Sequence, residues 1–343
     1  MINVNVNYGN IVKINCFCTE EQAEILDNYF YGQVNLGFDE QADYQVNYKG
    51  NINNRRIKKP ENWKPEPAFR NPSYVCIDTS NRSRIAYASD QGFNSRHIVV
   101  KKQNEFNFYD EERPGDTLIA AIVREIVVRK LLELKFFPLH SASFSDGENA
   151  VVIFGHRKAG KSSTMIYETI CKGYNMVAND IQFVGKLGGQ WVCASIPYDV
   201  TVGGDLLNAI GINAEIGKEK LRFTPKQFCE QFGVGQQWMV PIKYAVNTKL
   251  DLSRDDYTIE QIEKNRRATL YQEQSREDWT YGDPYNISGD FVFDYDGLAK
   301  DVPLFRVEGR LLEFFKDFDI RSFDYSKIGT DGLTGSGNNR ELS

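Results

Sequence analysis

Residues that define whole classes of site are scarce in this chain. It has three histidines in 343 residues, at 97, 140 and 156, and six scattered cysteines, at 16, 18, 76, 171, 193 and 229. Cys16-Phe17-Cys18 has the wrong spacing for a zinc knuckle and no Cys/His pair complements it, which argues against a metal or redox role. Alternate residues of a strand share a face, so these two cysteines read as buried or edge thiols. No apolar run approaches the length of a membrane span. Residues 1–8 alternate like a strand and lack the charged-then-apolar layout of an export signal. An excess of basic charge is also missing: 41 Lys and Arg stand against 47 Asp and Glu, a net charge of −6, which argues against a general nucleic-acid binder. No internal repeat is present. Reduced cysteines and no export pattern make the cytoplasm the expected compartment.

What is present suits an ordinary globular chain. With 41% hydrophobic and 13% aromatic residues it can bury a substantial core, as one large domain or two of ordinary size. Residues 1–113 read as a β-rich N-terminal domain, with strands over 3–8, 11–17, 74–77, 84–87 and 97–101 and a helix over 20–29 capped by Thr19. Prolines and the basic cluster Arg55, Arg56, Lys58 and Lys59 make 48–72 a loop. A second domain is expected over 114–328. It opens on a helix at 117–135, where Leu118, Ile122, Ile126 and Leu131 recur at helical spacing. A strand over 136–144 follows, then a turn at Asp146-Gly147 and a strand over 151–154. After a helix over 163–172 come a strand over 174–179 and a hairpin over 181–195. Glycines punctuate 205–240, a candidate lid or substrate-docking segment with helical pieces at 205–210 and 224–232. Strands over 240–250 and 302–308, a charged exposed helix over 255–280 and a flexible tail over 329–343 complete the reading.

The most specific motif is Gly155-His156-Arg157-Lys158-Ala159-Gly160-Lys161-Ser162, which fits the phosphate-loop pattern. Its context is the one the mechanism requires. An apolar strand precedes it, and a helix opening at Ser163 follows, so backbone N–H groups and a helix N-terminus can face a phosphate. Lys161 then reaches the β- and γ-phosphates and Ser162 can ligate Mg²⁺. Phosphoryl transfer also needs an acid at a neighbouring strand end and neutralisation of developing charge. Asn179-Asp180, ending the strand after the loop helix, meets the first need. His140, ending the apolar run 136–139 on a strand adjacent to the one that feeds the loop, is the second candidate. Arg306, Lys243, Lys249, Arg157 and Lys158 are candidate cations.

The order Leu139-His140-Ser141-Ala142, then the loop, then Lys172-Gly173-Tyr174 and Val177-Ala178-Asn179-Asp180 resembles HPr kinase/phosphorylase and its kinase relatives. That group includes kinases of lasso-peptide clusters and a free-serine kinase. The resemblance covers roughly 116–325, with its specific motifs confined to 139–180. It implies an α/β fold with a mixed sheet, similar to the nucleotide-binding P-loop core of phosphoenolpyruvate carboxykinase. It places His140 beside the transferred phosphate, Asp180 where it can activate an acceptor hydroxyl or contact Mg²⁺, and Asp205 as a further metal ligand. Two departures point away from HPr as acceptor and from the reverse, phosphorolytic reaction. Asn179 stands where the family has an acid, and 201–208 lacks the acidic-arginine-glycine segment of HPr kinase proper.

The expectation is therefore a kinase using ATP and Mg²⁺ on a hydroxyl acceptor, a serine of a peptide or small protein. A small-molecule acceptor such as free serine, or a non-catalytic ATP-binding regulator, stays open. So does assembly into a homo-oligomer; neither nucleic acid nor membrane is expected as a partner.

Overall fold

Val4, Val6 and Tyr8 alternate with Asn3, Asn5 and Asn7, and this period-two pattern sets the N-terminal sheet. A computed structural model describes residues 1–51, 75–78, 84–85, 97–110, 118–212, 220–250, 256–275, 292–324, 328 and 333–336. They fall into two compact units, the first within Met1–Leu134 and the second within Lys135–Arg276 and Val292–Ser343. Of the sequence-based expectations, the basic cluster at 55–59 lies outside the described residues.

The first unit contains β1 (Ile2–Tyr8), β2 (Val12–Cys18), α1 (Glu20–Tyr29), β3 (Val34–Leu36), β4 (Tyr44–Asn51), β5 (Val75–Asp78), β6 (Arg84–Ile85), β7 (His97–Lys102), β8 (Glu105–Asp110) and α2 (Leu118–Glu133). Its sheet runs β3-β1-β2-β4-β8-β7-β5-β6. Val4, Val6, Ile14, Cys16, Val46, Phe106 and Phe108 are buried on it. Thr19 and Gln22 form a capping box that starts α1. Nine residues of α2 are buried, and its neighbours include α1, β2 and β4. The helix thus belongs to the first unit, and the boundary falls after Leu134 rather than at 113/114. A helix with so much apolar surface packs where a sheet face is open to it.

The second unit is mixed α/β. Its elements are β9 (Phe137–Leu139), β10 (Ser141–Ser145), β11 (Ala150–Phe154), α3 (Lys161–Lys172), β12 (Asn175–Ala178), β13 (Gln182–Leu187), β14 (Gln190–Ser195), β15 (Val200–Val202), α4 (Gly204–Ala209), β16 (Leu221–Phe223), α5 (Pro225–Phe232), β17 (Met239–Leu250), β18 (Asp256–Gln261), α6 (Lys264–Gln274), α7 (Tyr295–Asp301), β19 (Leu304–Gly309), α8 (Leu311–Asp317) and β20 (Leu333–Ser336). The main path is β12-β10-β11-β17-β14-β13-β9, and β19, β18 and β20 branch from β17. β11, β17 and β19 run parallel, while β10 is antiparallel to both β11 and β12. The core gathers Phe137, Leu139, Val152, Phe154, Val177, Val184, Val240, Ala245, Tyr271 and Leu304. No helix of the described residues is long and apolar enough to cross a membrane.

Three expectations need correction. The strand over 136–144 is two strands: β9 pairs with β13 and β10 with β11, and the chain changes partner at His140. The expected helix over 255–280 opens instead as β18, because Tyr257 and Ile259 alternate inward and pair with β19; the helix starts at Lys264. The expected tail contains β20, which pairs with β18.

Candidate functional site

Antiparallel pairing brings three strand ends together. Ser141, the first residue of β10, pairs with Phe154, the last of β11. Ser143 pairs with Ala178, the last of β12. His140, the 155–160 loop and Asn179-Asp180 therefore share one end of the sheet, although they are distant in sequence.

The loop is shaped by backbone constraint. Gly155 has φ 153, and a Cβ there would stand 2.4 Å from the Thr248 carbonyl oxygen and 3.0 Å from the Ala159 Cβ, so only glycine fits. Thr248 on β17 also donates from Oγ1 to the Phe154 carbonyl at 3.3 Å. Lys158 and Gly160 take left-handed φ of 66 and 90. Gly160 is the N-cap of α3 without a side-chain cap, which leaves first-turn N–H groups available to an anion. Buried Lys161 donates from Nζ to the carbonyls of Gly155 at 2.8 Å and His156 at 3.1 Å. Its ammonium lies within the loop, on acceptors that a phosphate oxygen could supplement. His156, Arg157, Lys158 and Ser163 are exposed, Ala159 is buried and Ser162 is half-buried.

His140 occupies the break between β9 and β10, and its backbone N donates to Gln274 O at 3.0 Å. Asp180 has φ 76, and its carbonyl accepts from Ser141 N at 3.2 Å. His140 Nε2 and Asp180 Oδ1 are 3.6 Å apart, an ion-pair spacing too long for a hydrogen bond. Around His140 lies a buried polar chain: Ser143 Oγ donates to Gln182 Oε1 at 2.6 Å, Gln182 Nε2 to Ser141 Oγ at 2.8 Å, and Ser141 Oγ to Leu139 O at 3.2 Å. It ties β10 to β13 across the break. Asn179 is buried, and its Oδ1 has no hydrogen-bond partner among the described residues. A buried acceptor left unpaired costs about 1–3 kcal/mol, so a donor or cation arriving there is stabilised.

Three of the candidate cations, those outside the loop, are engaged elsewhere. Lys243 donates to Ile320 O at 2.8 Å, Lys249 is 3.5 Å from Glu308, and Arg306 is 3.4 Å from Glu260. Asp205 lies in α4 by its backbone, and its side chain is outside the described residues. No cluster of three or more His, Cys, Asp and Glu suited to a metal occurs among the described residues. Mg²⁺ needs only one or two protein oxygens when phosphate and water complete its shell. The Ser162 hydroxyl, the Asp180 carboxylate and the orphaned Asn179 Oδ1 suit that demand.

Several contacts were not visible as motifs. Thr248 lies on a parallel strand far along the chain. At the other end of α3, Glu168 is fully buried and its carboxyl is pushed up to about 8, chiefly by burial and against the pull of Lys172. Lys172 Nζ lies at an ion-pair distance of 3.3 Å from Glu168 Oε1 without hydrogen-bonding to it. It donates instead to the carbonyls of Phe315 and Phe318. Tyr174 OH donates to Asp319 Oδ1 at 2.7 Å beside it. The far end of the loop helix is therefore anchored to α8 and the residues after it. The i, i+4 spacing of Glu168 and Lys172 was the one available signal.

No family model and no curated relative matches the chain. A solved structure, the HPr(Ser) kinase/phosphatase from Coxiella burnetii, is similar at 14% identity with a TM-score of 0.24, over 34% of this chain and 59% of that one. This chain therefore spans less than two thirds of that protein's length. A TM-score of this size carries neither fold nor function across, and the functional reading rests on the site itself.

Proposed function

We propose that this chain is an ATP- and Mg²⁺-dependent kinase that transfers the γ-phosphate to a hydroxyl, with a serine of a peptide or small protein as acceptor class. The observation that supports this reading most is the convergence of the Gly155–Lys161 hydrogen-bonded loop, His140 and Asp180 at one sheet end. Phosphoryl transfer demands a phosphate cradle, an acid near the acceptor and a cation near the developing charge, all within one pocket.

In this reading the N–H groups of 156–162 and the N-terminus of α3 hold the β- and γ-phosphates. Lys161 turns part of its hydrogen bonding from the loop carbonyls to phosphate oxygens. Asp180 accepts the proton of the attacking hydroxyl; it follows the end of β12 in a left-handed backbone conformation. His140, whose Nε2 lies 3.6 Å from Asp180, contacts the transferred group beside it. Ser162, with Asp180 and Asn179 as further oxygens, would hold Mg²⁺, which when bound would supply positive charge against that of the phosphates. The 205–240 segment, which includes the strand β16 paired with β15, is the proposed acceptor-docking region. The test is mass spectrometry of serine-containing peptides and of free serine after incubation with Mg²⁺-ATP, comparing wild type with Asp180→Asn. A phosphorylated hydroxyl in the first sample only supports the reading; none in either overturns it.

A further inference from the structure

His140 stands at a change of strand partner, so its position depends on what grips the three residues before it. On one side Phe137, Pro138 and Leu139 pair with Val184, Phe183 and Gln182 of β13. On the other, the end of α6 closes on them. Leu139 bridges Ser275 in antiparallel sense, and His140 N donates to Gln274 O at 3.0 Å. The Ser275 hydroxyl donates to Pro138 O at 3.0 Å and accepts from Tyr295 OH at 2.7 Å. The Tyr295 ring meets Phe137 edge-on, with centroids 4.8 Å apart, and Phe293 covers the same ring at 5.6 Å.

The backbone of Ser275 already has its own role. Its N–H closes α6 on Gln272 O at 3.1 Å, and alanine would keep that bond and the bridge. The hydroxyl is additional: it links β9 to Tyr295 at the start of α7, two residues before His140. Proline at 138 donates no hydrogen bond, so its carbonyl is the one backbone hydrogen-bonding group that this residue offers.

We infer that Ser275 and Tyr295 are positioning residues for His140, their Tyr295–Ser275–Pro138 hydrogen-bond chain setting its placement against Asp180 and the 155–162 loop. The inference rests on the reading of His140 as the group beside the transferred phosphate. Positioning of this kind matters because a displacement of about 1 Å at a reacting group can reduce rate on the order of a hundredfold. Loss of one hydroxyl from a chain that keeps its backbone contacts gives a smaller shift.

The experiment combines kinetics with histidine-selective labelling, which three histidines make tractable. Ser275→Ala and Tyr295→Phe are expected to lower kcat by roughly tenfold while KM for ATP stays within about twofold. Both are expected to move the His140 imidazole resonance and leave those of His97 and His156 in place. Ser275→Thr, which keeps the hydroxyl, restores both readouts. An unchanged His140 resonance in folded Ser275→Ala and Tyr295→Phe proteins overturns the inference, and so does a fall in kcat matched by loss of ATP affinity. Should Ser275→Ala not fold, Tyr295→Phe decides alone. Should wild type transfer no phosphate, the kinase reading fails, while the His140 resonance still decides the positioning.

Discussion

His140 Nε2 lies 3.6 Å from Asp180 Oδ1, a contact made where the start of β10 meets the end of its neighbour β12. The spacing leaves room for an oxygen that both groups can touch. Replacing Asp180 by Asn or His140 by Gln is expected to lower phosphate transfer by about 10²–10⁴-fold, the range for a lost acid–base group. The double variant should fall little below the worse single one, because groups acting as a unit are not additive. Steady-state transfer rates for the three variants check this.

Gly155→Ala should damage the loop itself. The added Cβ would stand 2.4 Å from the Thr248 carbonyl, at a φ that L side chains rarely adopt. A destabilisation of about 1–3 kcal/mol is expected, together with weaker ATP binding. Chemical denaturation and calorimetric titration with ATP measure the two effects.

Thr248→Val keeps the volume and removes the hydroxyl that donates to Phe154 O. The expected loss is about 1 kcal/mol, read by denaturation, with a rise in KM for ATP as the loop root loosens. An unaltered KM would mean that the β17 contact does not hold the loop.

Glu168 makes stability depend on pH in a defined direction. Its folded value of about 8 lies above the ordinary carboxylate value of 4.5. Between those values the folded state holds a proton that the unfolded state has released. Stability is thus greatest below the lower value and falls as pH rises toward and through the upper one. Glu168→Gln, which mimics the protonated side chain, should flatten that fall by a few kcal/mol across the window. Melting curves at pH 5 and pH 9 for both proteins test the sign.

Much of the site was legible because it lies in short local motifs. The loop, its flanking strand and helix, His140 and Asp180 all follow from residue order, and the Asp146-Gly147 turn announced the β10–β11 hairpin. Long-range pairing was not legible in this way. The continuous strand-like run over 136–144 hid the partner change at His140, since Phe136–Leu139 and Ser141–Phe144 are both buried and differ only in which strand they meet. Charge hid β18 and displaced α6. The buried residues of α6 are Arg267 and Tyr271, with Arg267 donating to the carbonyls of Ile262, Ala299 and Val302. A guanidinium satisfied by backbone carbonyls can stand in a core, and hydrophobic periodicity does not register it.

The most direct test of the central claim is transfer of labelled γ-phosphate from Mg²⁺-ATP to serine-bearing peptides and a metabolite pool by the wild-type, Lys161→Ala and Asp180→Asn proteins. The account predicts label on an acceptor hydroxyl with wild type and near-complete loss in both variants, with ATP binding retained by Asp180→Asn. Tight ATP binding by wild type without label on any acceptor, or transfer unchanged in Asp180→Asn, would contradict it.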